Sequence, residues 1–302
     1  MKIILSRKGF DSSFGGVASP VFIDDNTFLS FPIPSSNSEE VRGCGYTISY
    51  NDLNSHGHNY GKLVQDLTSN KIKNKLTGDM LVHLDPDISE NVYDRGNNEW
   101  GPMFGQDGSA QGHLRKQNIG KGDIFLFFGL YGWVSKNEGK YRYVRGEKKF
   151  HMLWGLMQIE DVIHFDNPDE INRVKEWMKS HPHFYLQGAK QNTLYIGRKD
   201  LIVDGKLIAQ NCGTGTFEKY RDELQLTRKG SHKLTDWLVP SFLFNSDKKK
   251  LPTYHQNHNL WNQEEDKYNL KAASIGQEFV FDCAEHPGAI DWLKKLIKGE
   301  EQ

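Results

Sequence analysis

The chain has 302 residues, 37% of them hydrophobic, enough for a substantial buried core. Lys and Arg (38) nearly cancel Asp and Glu (39), leaving a formal net charge of -1. Sequence-blind binding to duplex nucleic acid through a broad basic field is therefore not the default reading, while a local basic groove stays open. The longest apolar runs, such as Ile124–Phe128, fall far short of the ~20 residues a membrane helix needs. The apolar stretch at Met1–Ser6 is too short for a signal peptide. Cys44, Cys212 and Cys283 are far apart and lack a C-x-x-C pattern, which argues against a disulfide framework or a structural zinc site. A cytoplasmic location is expected.

Residues 2–6 predict a short buried strand, and the glycine-bearing segment Arg7–Gly16 follows it. A hairpin is expected with arms Val21–Ile23 and Thr27–Pro32, then a strand at Tyr46–Tyr50 and a helix at Tyr60–Leu67. Met80–Leu84 reads as a strand ending in Asp85-Pro86-Asp87. From Asn91 to Gly122 no apolar period survives, and seven glycines predict one long shaped loop. Asp123–Gly129 and Phe150–Ile163 are the strongest strands, separated by the charged excursion Lys136–Lys149. A helix is expected over Asp169–Ser180, with Ile171, Val174, Trp177 and Met178 as its apolar stripe. Short strands at Thr193–Gly197, Leu201–Val203 and Lys206–Ala209 precede an aromatic-rich stretch. Gln277–Cys283 predicts a last strand and Ala289–Lys298 a closing amphipathic helix. The pattern suits one mixed α/β (α+β) domain over residues 1–302, built on a central mixed sheet with long glycine-rich loops.

Four constellations carry the candidate chemistry. Loops after buried strands are where open α/β sheets place ligands, and Arg7, Lys8, Asp11 and Ser12 follow the first strand. There Arg7 and Lys8 are candidates to grip one phosphate, with Asp11 as a base. Second, Asp85 and Asp87 form a D-x-D element like that with which many glycosyltransferases bind a metal and a nucleotide sugar. They make a divalent metal the one cofactor that the sequence suggests. His83 alternates with Val82 and Leu84 and reads as a wall or core histidine. Third, Gln106, Asp107, Gln111 and His113 sit in the glycine-dense stretch, where amides can read base edges and His113 can serve as acid or base. Fourth, Gly122–Gly129 paired with His151–Ile159 is similar to the small β-barrels of the PUA/ASCH/EVE superfamily, some of which read modified bases. Its aromatic residues suit stacking on an extruded base.

The pairs His56/His58, His181/His183 and His255/His258 have metal-pair spacing without a nearby third ligand, so they read as surface or loop histidines. Cys212 has no base in sight. Glu278 and Asp282 share a strand face as a late-chain acid or base.

Ser6–Ser13, Gly15-Gly16 and Ser19-Pro20 together resemble the opening of the nucleotide modification-associated domain, type 3. Similar elements follow in order: His83-Leu84-Asp85-Pro86, the Gln106–His113 stretch, Gly122–Gly129 and Gln277-Glu278-Phe279. The resemblance covers essentially the whole chain. It implies an α/β protein that modifies or handles nucleotides or DNA bases, often in phage-related settings, and marks Arg7, Lys8, Asp11, His83, Asp85, Gln111 and His113 as pocket residues. Three functions stay open on these grounds. The leading one is an enzyme acting on a nucleotide or nucleic-acid base, with Asp11, His83, Asp85 and His113 catalytic and Arg7, Lys8, Ser12, Gln106 and Gln111 holding substrate. The others are a non-catalytic reader of modified bases and a metal-dependent glycosyltransferase using Asp85 and Asp87.

Overall fold

Nine strands form the main sheet of the computed structural model, which describes residues 1–11, 15–35, 47–71, 75–96, 98–186, 188–274 and 278–299. In chain order they are β1 (Lys2–Arg7), β2 (Ser19–Phe22), β3 (Met103–Gln106), β4 (Ile124–Asn137), β5 (Lys140–Tyr143), β6 (Phe150–His164), β7 (Thr193–Gly197), β8 (Thr214–Thr216) and β9 (Glu278–Asp282). The paired path runs β9-β1-β4-β6-β7-β3, with β2 and β5 on β4 and β8 on β6. β1 runs parallel to β4, and β4 pairs antiparallel with β6. The sheet is therefore mixed, as expected.

The sheet curls strongly. Five strand steps separate β9 from β3, which in a flat sheet would place them roughly 24 Å apart at ~4.8 Å per step. Instead Gln106 of β3 donates through Nε2 to Glu278 Oε1 of β9 at 2.6 Å. Phe104 of β3 likewise packs on Phe125 and Phe127 of β4, with ring centroids 4.8 and 5.3 Å away. The concave face thus collects Phe104, Phe125, Phe127 and Tyr195 into one edge-to-face and stacked cluster. On the convex face, Phe128 meets His151, Trp237 and Phe279. The three-stranded sheet Asp236–Pro240, Lys267–Lys271 and Trp261–Glu264 supplies Trp237 to that side.

The α-helices among the described residues are α1 (Tyr60–Thr68), α2 (Gly108–Lys116), the single turn α3 (Pro168–Ile171) and α4 (Ala289–Lys298). α1 and α4 match their amphipathic patterns, burying Leu63, Val64 and Leu67 in one case and Leu293 and Leu296 in the other. No described helix is long and apolar enough to cross a membrane.

Three expectations need correction. The stretch Asn91–Gly122 is not one loop, because it contains β3 and α2. The residues that α2 buries are Gln111 and Leu114, so a glutamine occupies half of its core face and no apolar period shows. The expected helix Asp169–Ser180 is broken into α3 and the 3₁₀ turn Glu176–Ser180. Its stripe fails because Ile171 stays exposed while Met178 alone of the four is buried. The segment around Tyr46–Tyr50 is no strand where it is described. Ser49 bridges Leu81, and a 3₁₀ turn starts at Tyr50. Ser12, Cys44 and Gln277 lie outside the described residues.

Candidate functional site

Residues on a strand alternate between faces, and this decides what the first loop can do. Ser6 pairs with Glu278 and Phe127 and points to the concave side, so Lys8, two residues on, follows it there. Lys8 Nζ lies 3.2 Å from Glu278 Oε1 and 4.7 Å from the centroid of Phe104. Its amide donates to Phe128 O at 2.8 Å, and its carbonyl rests over Gly129, where a Cβ would come within 2.7 Å. Arg7 faces the other way. It is ion-paired with Asp11 at 3.5 Å, and its charge acts on His151 beneath the convex face. The expectation that Arg7 and Lys8 grip one phosphate is therefore corrected, and Asp11 stands with Arg7.

The side chains that converge are His83, Asp85, His181 and His183. His83 ends the short strand Val82–His83, which pairs with Ile33–Pro34. Asp85 follows it into the loop, while His181 and His183 flank Pro182 at the start of a 3₁₀ turn. Asp85 is nearly enclosed, and Oδ1 accepts a hydrogen bond from Gly105 N at 2.7 Å. His181 Nε2 also approaches Oδ1, at 3.1 Å but off the N–H axis. The other oxygen, Oδ2, faces His183 Nε2 at 3.6 Å and His83 Nε2 at 3.8 Å. Both His181 and His183 are buried, at 1% and 4% exposure, which overturns the surface reading of this pair and leaves them as buried residues of a turn.

A second set of bonds fixes the rings. His183 Nδ1 donates to Asn192 Oδ1 at 2.8 Å, and Asn192 Nδ2 donates to His183 O at 2.8 Å, so the amide has one orientation. This leaves His183 Nε2 turned toward Asp85. His181 Nδ1 accepts from His183 N at 3.3 Å, which puts the His181 proton on Nε2, beside the carboxylate. The His183 ring lies flat against Gly105, where an added Cβ would sit 2.2 Å from its carbons.

The electrostatics follow from burial and from the one carboxylate at the centre. Burial pushes Asp85 upward, yet its contacts with His181 and His183 outweigh that and hold it well below the usual carboxylate range. Burial lowers His83 to about 3, only partly opposed by Asp85. Burial also lowers His183, but the nearby Asp85 charge and the bond to Asn192 more than compensate and raise it. Glu278 is raised by desolvation against the pull of Lys8. Lys8 in turn lowers His83, so the Lys8–Glu278 pair belongs electrostatically to the same site.

Of the residues expected from sequence, His83 and Asp85 therefore meet, while Lys8 and Gln106 meet at Glu278. Gln111 is close by in the interior, where its Oε1 accepts from Tyr195 OH at 2.9 Å. Asp87 does not join Asp85. Its carboxylate accepts from Arg95 at 2.7 Å and from Trp100 Nε1 at 3.2 Å, so the D-x-D pair is not a shared metal clamp. His113 lies apart, with Thr253 Oγ1 at 3.1 Å and the Tyr254 ring as neighbours. The aromatic side chains Phe125, Phe127 and Phe128, expected around an extruded base, are buried in the core. Sequence reasoning missed His181, His183 and Asn192. The signal was the His-Pro-His spacing, whose third partner is Asp85, far earlier in the chain.

A groove of about 780 Å³ flanks the cluster. Tyr93, Arg95 and Trp100 line one part of it, and Lys175, Trp177 and Tyr185 another. Arg95 and Trp100 are the residues that hold Asp87, and the groove also reaches Ser180, next to His181. A smaller cavity of about 50 Å³ reaches Asp85 from another direction, lined by Phe28, Tyr60 and Trp154.

His83, Asp85 and His183 place three ligand-type atoms within 4.8 Å of one another. No curated protein and no solved structure matches the chain. A family model described as nucleotide modification associated domain 3 matches residues 2–282. That span takes in every residue of the cluster, and the chain belongs to the nucleotide modification associated domain 3 family.

Proposed function

We propose that the protein is an enzyme acting on a nucleotide or a nucleic-acid base, with the reacting group placed against His83, Asp85 and His183. The observation that carries this reading is the enclosure of one carboxylate by three imidazoles, with the charge of Lys8 acting on His83. Buried ionisable groups of opposed tendencies are costly to a fold and mark functional sites. Family membership points to nucleotide-related chemistry. The flanking groove supports that direction through its aromatic lining of Tyr93, Trp100, Trp177 and Tyr185, while its charges are mixed, with Asp94, Glu99 and Glu176 beside Lys175 and the Asp87-paired Arg95.

In this reading the aromatic groove holds the base or sugar-phosphate, and the reacting atom reaches the Asp85 carboxylate. Lys8 stabilises negative charge that develops there. Glu278, raised by burial, serves as a proton carrier from the inner wall. The reader alternative loses support because Phe125, Phe127 and Phe128 are committed to the core.

Base stacking is worth about 1–3 kcal/mol per aromatic ring. Trp177→Ala is therefore expected to weaken binding of nucleoside monophosphates by about 5- to 150-fold, measured by calorimetric titration. Equal affinity in the wild type and the variant, or no binding of any nucleotide to the wild type, would remove the groove from this account.

A further inference from the structure

The geometry points to a transition-metal centre: we propose that His83 Nε2, Asp85 Oδ2 and His183 Nε2 bind one divalent first-row metal ion. Ligand atoms about 2.0–2.2 Å from a common ion lie roughly 3.0–3.5 Å from each other. The observed spacings from Asp85 Oδ2, 3.6 Å to His183 and 3.8 Å to His83, are too long for hydrogen bonds and close to that requirement. A small inward shift of two side chains completes the set.

Each ligand is prepared for the task by its surroundings. Asn192 takes the Nδ1 proton of His183, the outer-shell arrangement that fixes a metal-binding imidazole through its far nitrogen. Gly105 N holds Asp85 Oδ1 at 2.7 Å, and His181 crowds the same oxygen, so Oδ2 is the one left toward the two imidazoles. His181 accepts at Nδ1 and carries its proton on Nε2, beside Asp85 Oδ1, so it offers no lone pair to an ion.

The donor set also selects the ion. Two imidazoles and one carboxylate suit Zn²⁺, Fe²⁺, Mn²⁺ or Co²⁺, whereas Mg²⁺ and Ca²⁺ prefer all-oxygen sites. Three protein ligands leave positions for water or substrate, which is the pattern of a catalytic rather than a structural centre. This differs from the D-x-D expectation in both residues and chemistry, since Asp87 is occupied by Arg95.

The proposal does not depend on which substrate is used, and it is tested with metal alone. Tag-free protein is stripped with chelator and dialysed, then titrated separately with Zn²⁺, Co²⁺, Mn²⁺ and Mg²⁺. We expect close to one Zn²⁺ or Co²⁺ per chain, visible Co²⁺ absorption bands, and a higher melting temperature with the transition metals than with Mg²⁺. His83→Ala and His183→Ala should each lose at least 100-fold in affinity. Asn192→Ala should lose about 10- to 100-fold, because it removes only the outer-shell partner. His232→Ala, at an exposed site near Lys148, should bind as the wild type does. If a ligand variant fails to fold by circular dichroism, the wild-type Co²⁺ spectrum and the Asn192 variant decide. Absence of Co²⁺ bands, a preference for Mg²⁺, or affinity unchanged by the ligand substitutions would overturn the proposal. Stoichiometric metal without any turnover would instead leave the centre standing and count against the enzyme reading.

Discussion

Gly105→Ala is expected to cut turnover about 100-fold while leaving most of the fold standing. The new Cβ would lie 2.2 Å from Cγ and Cδ2 of His183, inside any tolerable contact. The ring cannot simply retreat, since its Nδ1 is held by Asn192 and the Asn192 amide is held by the His183 carbonyl. Overpacking of this kind costs about 1–3 kcal/mol of stability. The functional cost is larger, because a misplacement of roughly 1 Å at a reacting centre can cost about 100-fold in rate. Turnover and urea unfolding of the variant check both halves together. Near-wild-type turnover in a folded variant would mean that His183 is not held where it is described.

The second large effect concerns acid. His151 and His255 are buried and neutral, pushed down by desolvation to about 3 and about 4. Both rings accept hydrogen bonds, His151 Nδ1 from Trp237 Nε1 at 3.1 Å and His255 Nε2 from Ala273 N at 3.0 Å. The unfolded chain takes up these protons near pH 6.5, while the native state refuses them until the pH is far lower. Stability is therefore lost as pH falls below about 6.5. Between pH 7 and 5 the loss is about 2 kcal/mol for each residue. His151→Gln keeps an acceptor for Trp237 and removes the titration, so its stability should fall about 2 kcal/mol less over that interval. Parallel stability curves for variant and wild type, from urea unfolding at the two pH values, would contradict this.

The fold was legible where one face of an element is uniformly apolar. β4, β6, α1 and α4 each bury a continuous apolar run or stripe, so periodicity located them. It failed where burial is polar. α2 buries Gln111 because Tyr195 satisfies it, and no propensity or hydrophobic pattern reports such a pairing.

The candidate site was half legible for the same reason. His83 and Asp85 stand together on a motif at the end of an apolar strand, so sequence could find them. His181 and His183 reach Asp85 only because the β3–β7 edge carries Gly105 past it and the His183 ring packs on that glycine. Lys8 meets Glu278 across the neighbouring β1–β9 pair, whereas the Gln106–Glu278 bond depends on the curl that brings β9 to β3, a long-range consequence of sheet twist that no local segment encodes. Arg7 was misjudged because adjacency in sequence is opposition on a strand.

The central claim is that Asp85 and its imidazoles form a reaction centre for a nucleotide or base. The most direct measurement is untargeted mass spectrometry of a bacterial small-molecule extract and of digested DNA. Each is incubated with the wild type or with Asp85→Asn, in the presence of Zn²⁺, Fe²⁺ or Mn²⁺. Asn preserves the shape of the side chain but removes the charge that organises His181 and His183. The account predicts a nucleotide or nucleoside mass change with the wild type that falls at least 100-fold with the variant. A change of equal size with Asp85→Asn, or no nucleotide or base altered by the wild type, would contradict it.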